Sequence, residues 1–233
     1  MPRLKRHDVD PLIEEFGVQA VLDAVTPLLG ESRVDTLEQG LDRKLQSLTV
    51  VLENLYDPHN GAAAVRSSEA FGLCDLHVVD GPTGTFRVAP DVSVGAHKWI
   101  DLHAHQSAED CASRLRREGF VLCATVPGAT LELEDIPVDR PLAIWFGNER
   151  DGLSEEAQAL CDHKVSIAMY GFSQSFNLSV SVGMFVHRLA AKRRAFLGRP
   201  GDLDPERRDY LRARWRALGI RGLRGVLERS VSE

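Results

Sequence analysis

Three short segments concentrate side chains able to hold and polarise a small ligand. The first reads Glu53-Asn54-Leu55-Tyr56-Asp57-Pro58-His59-Asn60-Gly61 and is followed by Arg66 and Ser67. The second is Phe146-Gly147-Asn148-Glu149-Arg150-Asp151-Gly152-Leu153-Ser154. The third is Ile167-Ala168-Met169-Tyr170-Gly171-Phe172-Ser173-Gln174-Ser175-Phe176-Asn177-Leu178-Ser179-Val180-Ser181. Arg66 lies six residues beyond Asn60, one to two turns into a helix, and its long side chain can reach back to a cleft at the strand ends. The third segment concentrates hydroxyl and amide groups that would line such a cleft and offer hydrogen bonds to a small ligand. Gly147 and Gly152 permit close backbone approach or positive φ. Taken singly, each segment is also ordinary punctuation: Asn60 makes a good helix cap, 146–154 a β–α turn, and the third segment a cap for the helix that follows it.

Other candidates are weaker. His103-Ala104-His105 superficially suggests a metal, but no Cys or carboxylate cluster accompanies it at a ligand spacing, so no metal is expected. His59 needs no ionising role to make its Asp-Pro-His-Asn turn. Cys74, Cys111, Cys123 and Cys161 are scattered without a C-x-x-C pair and read as buried, reduced thiols. No G-x-G-x-x-G follows a strand and there is no P-loop, which disfavours a dinucleotide or nucleotide-triphosphate enzyme.

The elements that must carry the three segments fall into three zones. Residues 1–47 read as a helical extension: Asp10-Pro11 suits a cap followed by a first-turn proline, and Val18, Val21, Leu22, Val25 and Leu28-Leu29 recur near a 3.6 period. Residues 48–197 alternate apolar runs with helical patterns. The runs are 49–52, 76–79, 99–102, 120–125, 142–146 and 165–168; the helices are 62–71, 108–118, 154–161 and 177–196, with Ser107 and Asp110 resembling a capping box. This alternation predicts an α/β domain with a mainly parallel sheet flanked by helices. Residues 198–233 read as a basic helical extension hinged at Gly198, Pro200 and Gly201. In a parallel fold ligands sit at the C-terminal strand ends, which places function in the loops after Leu52, Thr125, Phe146 and Ala168.

In their order and internal spacing, the three segments resemble the signature motifs of the SpoU/TrmH RNA 2′-O-ribose methyltransferases of the SPOUT superfamily, over about residues 48–190. The helical zones at both ends resemble those of members that methylate the D-loop guanosine of tRNA. The resemblance implies a deep C-terminal trefoil knot, a homodimer, S-adenosyl-L-methionine as cofactor and a tRNA ribose 2′-hydroxyl as acceptor. It assigns the catalytic group to Arg66, Asn60, Glu149, Ser175 and Asn177. It assigns the cofactor pocket to Thr125, Gly147, Asn148, Ile167, Met169, Phe176 and Leu178. Ala168 stands where the family usually has proline and Phe176 where it usually has leucine. Both would reshape the pocket slightly, and neither removes a catalytic group. The alternatives are 2′-O-methylation of rRNA and a non-catalytic RNA-binding protein that keeps the knot.

Taken as a sum, the formal net charge of −6 over 233 residues argues against a nucleic-acid partner, but the charge is unevenly spread. Residues 186–229 hold 13 Lys and Arg against 5 Asp and Glu, a local +8, while the remainder holds 15 against 29, or −14. Arg193, Arg194, Arg212, Arg214 and Arg216 are accordingly the expected RNA contacts, with Tyr210 and Trp215 interleaved. No run of 18 apolar residues is present, so no membrane partner is expected, and the basic N-terminus lacks a signal-peptide core, which predicts a cytoplasmic protein.

Overall fold

The computed structural model describes residues 6–79 and 95–232. It contains α1 (Arg6–Phe16), α2 (Val18–Val25), α3 (Glu31–Asp42), β1 (Leu48–Glu53), α4 (Pro58–Ala70), β2 (Asp75–Val79) and β3 (Asp101–His105). Then follow α5 (Ala108–Arg117), β4 (Val121–Thr125), β5 (Leu131–Glu132), β6 (Leu142–Phe146), α6 (Glu155–Leu160), β7 (His163–Ser166), α7 (Leu178–Leu197), α8 (Pro205–Ala217) and α9 (Leu223–Ser232). The chain forms two units. One spans Leu45–Pro200; the other combines the described residues up to Lys44 with those from Gly201 onward. The two flanking zones, expected as separate extensions, therefore belong to one helical unit. Short amphipathic helices cannot bury their apolar stripes alone. Here Val9, Ile13, Val21 and Val25 cluster with Ala213, Ala217, Leu223 and Leu227.

In the larger unit all strand pairings are parallel, in the order β3-β2-β1-β6-β4-β7-β5. β1 and β6 are buried along their whole length, as central strands covered on both faces must be. Residues of α4 and α7 join the apolar cluster on one face, and those of α5 and α6 the cluster on the other. The strand read at 99–102 begins two residues later, because Ala96–Lys98 forms a 3-10 turn. Asp10-Pro11 does not start a helix; Pro11 lies inside α1. Ser107 caps α5 as expected, accepting the Asp110 N–H at 3.1 Å. Cys74, Cys111 and Cys123 are buried and Cys161 is half-buried; burial pushes the Cys123 and Cys161 thiols up to about 12, and that of Cys111 upward too.

The five arginines expected to face RNA all make hydrogen bonds within the protein. Arg193 is buried and donates to Ser47 Oγ (2.8 Å) and the Val138 carbonyl (2.6 Å). Arg194 donates to the carbonyls of Pro200 (2.7 Å) and Phe71 (2.8 Å). Arg214 is buried against Asp10 at 2.6 Å. Arg212 and Arg216 each donate to Glu38 at 2.8 Å, with Asp209 and Thr26 as further acceptors. Trp215 packs inward, under the Lys44 ammonium and against Gly40. Arg212, Arg214 and Arg216 thus neutralise acidic side chains of α1 and α3.

Glu38 takes three guanidiniums, since Arg208 also approaches it at 3.4 Å. Partial burial acts to raise its pKa, but hydrogen bonds and charge from Arg212 and Arg216 outweigh this and hold the carboxyl below its ordinary 4.5. A depressed carboxylate contributes stability that is complete above the unfolded value and is lost as pH falls through the folded one. Denaturant titrations should therefore show stability declining as pH drops from about 4.5. Glu38→Gln should lower stability at neutral pH and make that decline shallower.

Candidate active site

The level C-terminal ends of the central strands create the site. Leu52 of β1 lies opposite Phe146 of β6, and Thr125 of β4 opposite Val165 of β7. The loops that leave these ends surround a cavity of about 600 Å³. Each of the seven expected cofactor residues lines it: Thr125, Gly147, Asn148, Ile167, Met169, Phe176 and Leu178. Glu149, Ser175 and Asn177 line it as well.

The loop 147–154 is shaped by its own backbone. A Cβ on Gly147 would lie 1.9 Å from the Gly152 carbonyl carbon and 2.0 Å from the Leu153 nitrogen, so no side chain fits there. Gly152 has φ +70°. Asn148 Oδ1 accepts the N–H groups of Arg150 (2.9 Å) and Asp151 (2.8 Å), which fixes its amide as part of the turn. The turn is anchored from below by Glu53, the last residue of β1. Its buried carboxylate accepts the Ser154 N–H (2.8 Å) and hydroxyl (2.6 Å). The Ser154 oxygen in turn accepts the Ala157 N–H and caps α6. Glu53 opens the first segment, yet the sequence did not single out this role; a charged residue ending an otherwise apolar strand was the available signal.

Asn60 does not cap α4. Asp57 does, accepting the His59 N–H at 2.8 Å, with Pro58 in the first turn. The Asn60 side chain is thereby released to the cleft. Its Nδ2 donates to Glu149 Oε1 at 2.5 Å, and its Oδ1 accepts from Asn177 Nδ2 at 3.1 Å. Asn177 simultaneously caps α7, its Oδ1 accepting from the Ser179 N–H (2.9 Å) and hydroxyl (2.6 Å). A chain of hydrogen bonds, Glu149–Asn60–Asn177, joins one residue from each of the three segments. Arg66 lies farther along α4, exposed; among the described residues it has no hydrogen-bond or ion-pair partner. Tyr56 sits beneath the Arg150 guanidinium, 4.1 Å from ring centre to Cζ.

A parallel α/β unit with a cleft at its strand ends defines a broad class of ligand-binding enzyme folds. The sequence profile of the SpoU rRNA methylase family matches residues 47–187, so the chain belongs to that family. It is 35% identical over 187 residues to a tRNA (guanosine(18)-2′-O)-methyltransferase of Thermus thermophilus, spanning 79% of this chain and 96% of that one. A tRNA (guanosine(18)-2′-O)-methyltransferase of Borreliella burgdorferi is 31% identical over 79% of this chain and 82% of its own. Among solved structures, a TrmH/SpoU tRNA modifying enzyme from A. aeolicus superposes with a TM-score of 0.72 at 26% identity, covering 80% of this chain and 95% of that chain.

Removing the anchor beneath the loop should be measurable. Glu53→Gln keeps the volume but replaces one acceptor oxygen by an N–H donor facing Ser154. Chemical denaturation should show a loss of about 1–3 kcal/mol.

Proposed function

We propose that this protein transfers a methyl group from S-adenosyl-L-methionine to the 2′-hydroxyl of a tRNA ribose, that of guanosine 18 in the D-loop. The Glu149–Asn60–Asn177 chain, whose two ends line the cavity, carries this reading, because it unites the three segments into one polar frame. The lining residues fit the cofactor. The cavity volume lies within the usual range for small-molecule sites. Ile167, Met169, Phe176 and Leu178 offer apolar walls, Gln174 and Ser175 offer hydrogen bonds, and Gly147 keeps the backbone bare. When bound, the cofactor supplies an electrophilic methyl group on a sulfonium.

The chain's own residues must orient the acceptor and stabilise the charge that develops on it as its proton passes to water. Holding two reactants in line can contribute about 7–11 kcal/mol in favourable cases. Arg66 cannot act as a free base at neutral pH, because its guanidinium remains protonated. Its role is to fix an RNA phosphate through two N–H donors and to stabilise negative charge developing on the 2′-oxygen. Asn60 and Asn177 hold α4 and the third segment at a fixed spacing beside Glu149. Ser175 offers a hydroxyl to cofactor or phosphate. The reading extends to a homodimer with a C-terminal trefoil knot, working in the cytoplasm on tRNA.

Purified protein supplied with S-adenosyl-L-methionine and unmodified tRNA should produce 2′-O-methylguanosine in the D-loop, read by nucleoside mass spectrometry. Methylation of rRNA but not tRNA would overturn the tRNA assignment. Arg66→Lys keeps the charge and loses the fork, so turnover should fall by about 100-fold with cofactor affinity unchanged. Full turnover by that variant would exclude the bidentate role.

A further inference from the structure

His103 and His105, which in sequence have no Cys or carboxylate cluster at a ligand spacing, meet His77 under α5, outside the methyl-transfer site. Parallel pairing sets His77 of β2 opposite His103 of β3, with His105 two residues on and on the same face. His77 Nδ1 and His105 Nε2 are 2.9 Å apart. The other nitrogen of His105, Nδ1, lies 3.1 Å from Asp110 Oδ2. Cys111, beside Asp110 on α5, is buried over the same strands. One ligand atom from each of His77, His105 and Cys111 falls within 4.8 Å of the others. His103 stacks on the His77 ring at 4.8 Å, and is itself held by Asp75 at 2.7 Å and Arg114 at 3.2 Å.

We propose that His77, His105 and Cys111 form a site for one divalent cation of the zinc type, with Asp110 as the carboxylate that orients His105. Two imidazole nitrogens and a sulfur suit a borderline-soft ion and not magnesium or calcium, which take oxygen ligands. By accepting the Nδ1 proton, Asp110 turns the Nε2 lone pair of His105 inward, the arrangement common around histidine-bound zinc. A tetrahedral ion about 2.1 Å from each nitrogen sets the two nitrogens about 3.4 Å apart, so the His77–His105 contact need open only by a few tenths of an ångström. The proton count closes. His77 moves its proton from Nδ1 to Nε2 and stays neutral, and Cys111 releases its thiol proton to solvent as the metal–sulfur bond forms. One proton leaves per ion bound.

The test uses the full chain, free of any affinity tag, titrated with Zn²⁺ against a chromophoric chelator and with Co²⁺ by absorption spectroscopy. One equivalent should bind, with a thiolate-to-cobalt charge-transfer band and release of one proton per ion. Cys111→Ala should abolish the band. Asp110→Asn alters a side chain that is 62% exposed, so it should fold normally and weaken zinc binding about 10- to 100-fold. No ion held against the chelator, a cobalt spectrum without the thiolate band, or affinity untouched by Asp110→Asn would each overturn the site.

Discussion

The parallel register of β1 against β6, with Leu52 opposite Phe146, is the constraint on which the site depends. It brings the ends of the first two segments level, so that Glu53 can reach across and hold Ser154 at hydrogen-bond distance. A one-residue slip would turn Glu53 to the opposite face of the sheet and leave the Ser154 N–H without its acceptor. Pairing of β4 with both β6 and β7 carries the same level across the sheet and delivers Thr125 and the start of the third segment to the same cavity. The loops are irregular, yet their placement follows from a strand ladder that leaves little freedom.

The helical unit obeys a different rule. Its core is small, and charge does much of the matching between α8 and the N-terminal helices. Arg214 against Asp10, Arg224 against Glu15, and Arg208, Arg212 and Arg216 around Glu38 account for most of the basic side chains of α8 and for one on α9. Exposed ion pairs are individually weak, but the Glu38 cluster is partly buried and shares acceptors, and such networks contribute more than isolated pairs. Much of the basic charge counted on α8 is thus matched by acidic side chains of the same unit.

This is where sequence reading was least able to see the molecule. Periodicity located β6 to the residue and placed β1 and β4 within one, because buried parallel strands are continuous apolar runs. The residues of the cavity wall were legible because three separated segments shared a recognisable pattern, and each expected wall residue lies there. The fate of the arginines was not legible, since ion-pair partners nearly two hundred residues apart leave no local trace. Asn60 shows the same limit at short range. Asn and Asp are equally good caps, and only the three-dimensional turn reveals that Asp57 takes the task. The histidine and Cys111 cluster was hidden for a related reason, because strand pairing and helix packing assemble it from β2, β3 and α5.

The polar frame of the cleft and Arg66 divide their work by mobility. Asn177 is fixed twice, as the cap of α7 and as a donor to Asn60, and Asn60 is fixed in turn by Glu149. Side chains held in this way are oriented before any ligand arrives and need no reorganisation when charge develops, which is the condition under which donors contribute most. Arg66 lacks such partners among the described residues, so its long side chain retains rotamer freedom in the free protein. Ordering it costs entropy, and that cost falls when a phosphate supplies two N–H acceptors at once. In the proposed reaction, a rigid frame would hold the cofactor side while RNA itself orders the last catalytic group. Cofactor binding and acceptor binding would then make separable demands on the same cleft.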